Sequence, residues 1–337
     1  MTAPTLHQLP DLMGSQRLLS CQASSLAAHQ DRLGPVPRLD LDRLVALTEE
    51  SGLTGRGGAG FPTGIKLRAV AEAGRRGVVV GNAMEGEPLS HKDAVLLAVA
   101  PHLVLDGLSV LSDTLGARHV VLGVGPDIDP GPVRAALAER RERIEVTCLS
   151  GGFVAGQETA LVNQLEGRPA VPRDPAVRVT ERGHSGHPTL VVNAETLAQL
   201  ALLARYGAAW FRSAGTPEDP GTSLFTVSGA VSRPGVLEAA RGTTLSDVLA
   251  RAGAASPVAV LVGGYHGAWL PPEAMDTPSP APRSRRTTLR SAPECSSCSG
   301  RTCAHSRRRR RSPATSPTSR PASAARASTA SLPSPGR

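Results

Sequence analysis

Between Gly55 and Gly64 the chain reads Gly-Arg-Gly-Gly-Ala-Gly-Phe-Pro-Thr-Gly, and Ile65-Lys66 follow. Successive glycines let backbone N–H groups turn into one concavity and let a ligand approach where a Cβ would clash. Arg56 and Lys66 flank that concavity with positive charge suited to phosphate. Gly55, Gly57 and Gly60, with Gly58 between them, also satisfy the spacing G-x-G-x-x-G. In the dinucleotide turn that uses this spacing, a strand leads in and a helix opens behind it to meet the pyrophosphate. Here a helical stretch leads in and Phe61-Pro62-Thr63-Gly64 makes a poor helix interior, so that particular turn is not predicted. Taken alone, the loop also reads as a tight surface turn.

A second segment carries acids. The short apolar run Val78 to Val80 ends in Gly81-Asn82-Ala83-Met84-Glu85-Gly86-Glu87-Pro88. Ligand-contacting residues gather just beyond strand ends in α/β sheets. Carboxylates around a glycine, as at Glu85 and Glu87, can accept hydrogen bonds from sugar hydroxyls or a carboxamide. Without a neighbouring site they are solvated turn residues. A third cluster, Cys295-x-x-Cys298-x-x-x-x-Cys303, has thiolates close enough to suggest metal, but no cysteine follows them. Four thiolates are the usual requirement of an iron–sulfur cluster, so no cluster is expected there. Five cysteines in all, three of them crowded together, are no secreted disulfide framework.

The elements that must hold these loops alternate. Leu41 to Glu50 reads as an amphipathic helix after an irregular segment, residues 1–40. Val78 to Val80 and His119 to Val124 are buried-type strands, and Ile144 to Leu149 is a third. Asp93 to Leu115 is helical with a break near Pro101, and Pro132 to Arg143 is a charged helix. Strands alternating with helices predict an α/β domain, residues 41–220, with a mainly parallel sheet. From Gly221 the texture changes to two strands (Ser223 to Gly229, Gly235 to Glu238), a helix capped by Thr244, and a strand, Val258 to Val262. That pattern is a separate β-β-α-β module, residues 221–276.

After Met275 the apolar pattern stops: residues 277–337 hold no Val, Ile, Met, Phe, Tyr or Trp and only two leucines. A disordered Arg/Ser/Pro-rich tail is expected. Of the chain's 37 basic and 29 acidic side chains, the tail holds 13 arginines and one acid, leaving a mildly acidic body of 24 against 28. The high net charge therefore says nothing about the body's partners. The tail's composition is that of a GC-rich coding sequence read in a shifted frame; the alternative is a basic arm for phosphates at Arg307 to Arg311. It has no aromatic residue to stack on bases, which argues against nucleic acid. The N-terminus lacks the basic start and apolar run of a signal peptide, and Val95 to Leu111, the longest apolar stretch, is interrupted by Pro101, His102 and Asp106. A reduced, cytoplasmic chain with no membrane span is expected, peripheral to a membrane only through partners.

Four ordered segments resemble one family, the NADH- and FMN-binding flavoprotein subunit of respiratory complex I. They are GRGGAGFPTGIK (55–66), GNAMEGEPLSHKDAVLL (81–97), GGFVAGQETALVNQLEGRPAVPR (151–173) and HPTLVVNAETLAQL (187–200). Residues 221 to about 275, including VSRPGVLE (231–238), resemble that family's β-grasp module. The resemblance implies a Rossmann-like domain that holds FMN, with NADH stacked for hydride transfer, and electrons passed on to an acceptor the sequence does not identify. Other subunits of a redox complex are the implied partners. By this matching Gly55, Arg56, Gly57, Gly58, Gly60 and Lys66 line the phosphate and flavin pocket. Asn82, Glu85 and Glu87 lie near the isoalloxazine and nicotinamide, Gly156 and Glu158 near the NADH ribose, and Asn193 and Thr196 on the FMN phosphate side. Four departures each remove a polar group or charge from the pocket the family carries: Met84 for Asp, Phe153 for Tyr, Gln157 for Glu and Val192 for Asn. The family's [4Fe–4S] domain is not recognisable, since Cys295, Cys298 and Cys303 match neither its spacing nor its setting. A non-catalytic scaffold built on the same two domains is the alternative reading.

Overall fold

The computed structural model describes residues 16–276 except 24, 75, 174 and 175, together with residues 288–291. The three tail cysteines lie outside the described residues.

The body is an α/β layer. Its elements are α1 (Leu26–Leu33), α2 (Leu41–Ser51), α3 (Thr63–Glu72), β1 (Val78–Ala83), α4 (Lys92–Val99), α5 (Pro101–Leu115), β2 (His119–Val124), α6 (Gly131–Ala138), β3 (Glu145–Cys148), α7 (Glu158–Leu165), β4 (Thr189–Asn193) and α8 (Ala194–Arg212). The four strands form one parallel sheet in the order β3-β2-β1-β4. Because side chains alternate along a strand, the run Val78-Val79-Val80 feeds two cores. Val79 packs with the large cluster that includes Leu44, Leu105 and Leu197 of α2, α5 and α8. Val78 and Val80 pack on the other face with Leu161 and Val162 of α7. Gly107 permits α5 to lie against α8, since a Cβ there would collide with the Leu197 carbonyl.

The module that follows comprises β5 (Thr222–Gly229), β6 (Gly235–Ala240), α9 (Leu245–Arg251), β7 (Val260–Val262), β8 (Ala268–Leu270) and β9 (Thr288–Ser291). Its sheet runs β6-β5-β9-β7-β8, closing over a small core of Phe225, Val227, Leu245, Val248 and Val260. Thr244 Oγ1 accepts the Asp247 amide at 3.1 Å, the cap expected for α9.

Several expectations need correction. Residues 1–40 are not wholly irregular, because α1 lies among them. The loop after Gly60 does open a helix: α3 starts at Thr63 with Pro62 at its cap, and Gly64 falls in the first turn, where N–H groups have no intrahelical partner anyway. The helical stretch ending at Leu115 is two helices, α4 and α5, bent by 95° across the break before Pro101. Most consequential, the module does not end at Met275. Thr288–Ser291, within the stretch expected to be disordered, pair in parallel with β5 and antiparallel with β7. Exposed edges on two finished strands supply a template that composition alone does not reveal.

Among the described residues no single helix is long and apolar enough to cross a membrane; only the bent α4–α5 pair passes by length and composition, and Leu96, Leu97, Leu103, Leu105 and Leu108 on it are fully buried in the body.

Two buried carboxylates bind the irregular N-terminal chain to the rest. Glu238 Oε2 accepts the amides of Arg17, Leu18 and Leu19 at 2.8, 2.8 and 3.0 Å. Asp106 of α5 meets His29 of α1, Arg140 after α6 and Arg205 of α8, each at 2.6 Å. Burial pushes the Asp106 carboxyl up, but His29, Arg205 and Arg140 outweigh it and hold it at about 2.

Two outcomes follow. Asp106→Asn leaves the buried Arg205 without its carboxylate and Arg140 with Glu142 alone, and should cost about 3–5 kcal/mol in denaturant unfolding. Because the folded pKa is depressed, the stability Asp106 contributes is present above the ordinary carboxyl range and lost as pH falls toward about 2; the variant should lack that acid-side loss. Truncation after Met275 removes β9 and should lower the melting temperature by several degrees, at roughly 2–4 °C per kcal/mol, whereas truncation after Glu294 should not. Equal melting of the two truncations would refute the assignment of β9 to the module.

Candidate functional site

The parallel strands β1 and β4 end side by side, with Asn82 paired to Asn193 in register. Just beyond those ends a cleft opens between the glycine loop and the acidic segment, outside the strand ends where ligands gather in α/β sheets. Its floor is built around Lys92, the first residue of α4. The Lys92 ammonium lies 2.7 Å from Asp93 Oδ1, 3.1 Å from Glu195 Oε2 and 3.1 Å from Asn193 Oδ1. Burial alone would pull this ammonium down, but Asp93 and Glu195 push it above the ordinary lysine range. Asn193 also caps α8 through the Glu195 amide at 3.1 Å and donates to Asp93 Oδ2 at 2.7 Å. Glu195 Oε1 in turn accepts the Leu224 amide of β5 at 3.0 Å.

The glycine loop forms one wall. It is pinned at its ends by the Gly55 amide donating to the Phe61 carbonyl at 2.8 Å, and Gly58 and Gly60 take φ of 104° and 62°, which other residues avoid. The Arg56 amide donates to Thr196 Oγ1 at 2.8 Å, which fastens the loop to the first turn of α8. The Arg56 guanidinium is buried; its contacts are long, 3.3 Å to Thr54 Oγ1 and 3.5 Å to the Pro220 carbonyl, and Nε has no partner. Burial, then the nearby charge of Arg241, pulls Arg56 down to about 10, so it stays cationic at neutral pH.

The acidic segment forms the opposite wall. Asn82 Nδ2 donates to the Gly156 carbonyl at 2.9 Å, which draws the loop before α7 over the end of β1. A Cβ at Gly156 would lie 3.0 Å from the Met84 carbonyl, so glycine eases that approach. Glu85 accepts the amides of Asp93 and Ala94 at 3.0 and 3.4 Å and the Ser90 hydroxyl at 2.9 Å. It is thereby the cap of α4; burial and then the Asp93 charge push its carboxyl up, against the pull of Lys92. Glu87 is buried. One oxygen accepts the Tyr265 amide from the module at 3.1 Å, and the other, Oε1, has no partner.

Of the residues expected at the site, Gly55, Arg56, Gly57, Gly58, Asn82, Glu85, Glu87, Gly156 and Asn193 line this one cleft. The others do not. Thr196 lies buried under the loop, and Gly60 serves its turn. Lys66 and Glu158 pair with each other at partly exposed positions outside the lining. The four family departures resolve differently. Met84 lines the cleft. Phe153 sits 37% exposed, edge-on to Tyr265 with centroids 6.5 Å apart. Gln157 Oε1 caps α7 by accepting the Thr159 and Ala160 amides at 2.8 and 3.0 Å. Val192 packs in the core. The expectation that each departure strips a polar group from the pocket therefore holds in place only for Met84. Sequence reasoning missed Lys92, Asp93, Glu195, Ser223 and Arg241. Lys92 had a signal, as one of only two lysines in the chain; Arg241, one arginine among many, had none.

The chain is similar to known proteins over most of the described residues. The family described as the Nuo51 FMN-binding domain matches residues 48–202, and the SLBB domain family matches residues 224–262. The chain is 34% identical over 245 residues to the NAD-reducing hydrogenase HoxS subunit alpha of Cupriavidus necator, covering 67% of this chain and 41% of that one. It is 33% identical over 253 residues to an NADH-quinone oxidoreductase subunit of Rhizobium meliloti, covering 68% and 60%. A crystal structure of an NAD+-reducing [NiFe]-hydrogenase in the air-oxidized state superposes with a TM-score of 0.68 at 36% identity, covering 75% of this chain and 46% of that one. The chain thus spans about half the length of the relatives it matches. With its cleft built from the glycine loop, the β1 end and the start of α8, all inside the matched region, the chain carries a Nuo51 FMN-binding domain, residues 48–202, and an SLBB domain, residues 224–262, directly after it.

Proposed function

We propose that this chain is an FMN-binding, NADH-oxidising subunit of a redox complex. The observation that carries the reading is a cleft with two opposite, unsatisfied buried ends: the Arg56 guanidinium with Nε unpartnered, and the Glu87 carboxylate with Oε1 unpartnered. A ligand with an anionic tail and hydrogen-bond donors along the rest of its length satisfies both, because unpaired buried polar groups are costly. FMN fits that description, and the glycine wall leaves room where Cβ atoms would stand. When bound, FMN supplies the hydride acceptor. The protein's part is position. Arg56 and the amides of Gly57 and Gly58 would hold the phosphate, while Asn82 and Glu87 would meet the flavin and the nicotinamide carboxamide. Glu85, Asn193 and Thr196 act one step back: they are engaged in capping α4, capping α8 and fastening the loop, so they hold the wall rather than the ligand.

The names of the relatives, one a hydrogenase subunit and one a quinone oxidoreductase subunit, support other subunits as partners; a cytoplasmic position, peripheral to a membrane through those partners, belongs to the same proposal. The electron acceptor would be one of those partners or a diffusing oxidant.

Residues 1–294, purified without oxygen, should carry a flavin spectrum that NADH bleaches. A protein that stays colourless after incubation with FMN, or a bound flavin that NADH leaves oxidised, would overturn the reading. Glu158, paired with Lys66 outside the cleft lining at the start of α7, should select NADH over NADPH, since its charge repels a 2′-phosphate. Glu158→Gln both removes that repulsion and releases Lys66, so the preference for NADH should narrow by about 1–3 kcal/mol, measured as a ratio of kcat/KM values. An unchanged ratio would exclude Glu158 from the nucleotide site.

A further inference from the structure

Arg56 is not alone at its end of the cleft. Arg241, just after β6 in the SLBB domain, lines the same space, and so does Ser223 of β5. Both arginines are buried, at 7% and 9% exposure. Their charges have been treated unequally. Arg241 Nε is ion-paired with Asp219, and its Nη1 donates to Ser223 Oγ at 3.0 Å. Arg56 has no carboxylate within ion-pair distance among the described residues. The nearest acid on that floor, Glu195, is already committed to Lys92 and to the Leu224 amide. Two buried guanidiniums therefore face one cleft close enough to repel, and Asp219 is ion-paired with Arg241 alone. Such an arrangement is unfavourable unless an anion joins it.

We infer that Arg241 of the SLBB domain completes, with Arg56, a subsite for a phosphate monoester, the terminal phosphate of the flavin nucleotide. This rests on the flavin reading above and extends it by giving the second domain a direct part in holding the cofactor. A guanidinium presents five donors in a planar fork. Two of the three Arg241 nitrogens are used by Asp219 and Ser223, which fixes the plane, and Nη2 has no partner among the described residues. Asp219 thus orients the fork, and Ser223 holds its other limb. The first turn of α8, whose amides start at the Asn193 cap, lies on the same floor and adds its positive end. A dianion suits this end better than the pyrophosphate of a dinucleotide, which carries one charge on each phosphorus and needs room on both sides.

Flavin binding to residues 1–294 tests this, read by fluorescence quenching with FMN and with riboflavin, which lacks the phosphate. The unmodified protein should bind FMN more tightly than riboflavin, and inorganic phosphate should compete with FMN only. Arg241→Met should weaken FMN roughly ten- to a hundred-fold, as the loss of a charge-assisted hydrogen bond implies, while leaving riboflavin affinity unchanged; Arg241→Lys should recover part of the loss. Asp219→Asn separates a ligand role from a structural one. It removes the ion pair but keeps the cation, so FMN binding should be retained or tightened, whereas a merely structural pair predicts weakening by either substitution. Equal losses of FMN and riboflavin, or an Arg241→Met protein that still distinguishes them as well as the parent, would overturn the inference alone. A parent protein that binds neither flavin would overturn it together with the flavin reading.

Discussion

The Lys92 ammonium is buried between Asp93 and Glu195, and the cleft is arranged about that contact. A carboxylate taken out of water without a cation beside it is strongly destabilising, so neither acid could occupy its place without Lys92. The partners sit at the ends of different elements: Asp93 in the first turn of α4, Glu195 in the first turn of α8, and Asn193 at the end of β4. Through the Leu224 amide the same group reaches β5 of the following domain. One cation therefore fixes where two helices begin relative to two strand ends, and everything that faces the cleft is referenced to it.

The consequence is a division of labour. Many polar groups near the cleft spend their hydrogen bonds on the scaffold: Glu85 and Gln157 cap helices, Thr196 fastens the glycine loop, Asn193 serves floor and cap together. What remains uncommitted is sparse and placed at two ends, a cationic one at Arg56 and an acidic one at Glu87. A wall held by its own hydrogen bonds does not need to reorganise when a ligand arrives, which is the condition for close placement of reacting groups.

How much of this was legible in sequence depended on whether a residue's role was local. The run Val78-Val79-Val80 announced a strand buried on both faces, and Pro101 announced a break, because both effects act within a few residues. The glycine loop was legible as a cradle for the same reason. Glu85 was legible as an acid beside the cleft, but not as a cap, since its capping partners, the Asp93 and Ala94 amides, are set by where α4 turns back. Arg241 carried no mark at all; its meaning comes from a domain interface far from the glycine loop in sequence. β9 was hidden for a related reason. Thr288–Ser291 have little apolar character, and they are a strand because β5 and β7 stand either side of them, so context overrides propensity.

That placement of β9 bears on how the chain is made. The second sheet is two hairpins, β5–β6 and β7–β8, with a gap that only a later segment fills. A ribosome delivers the glycine loop, the parallel sheet and both hairpins first, and the piece that unites the hairpins last. Until then two open backbone edges face each other with nothing between them, a state inviting pairing with the wrong strand. Closing that gap is a non-local event of the kind that slows folding. Because Arg241, Ser223 and the Tyr265 amide all reside in this domain, the cleft gains its contacts from the second domain only after both of its walls have been synthesised, so the order of synthesis is also the order in which the pocket is completed.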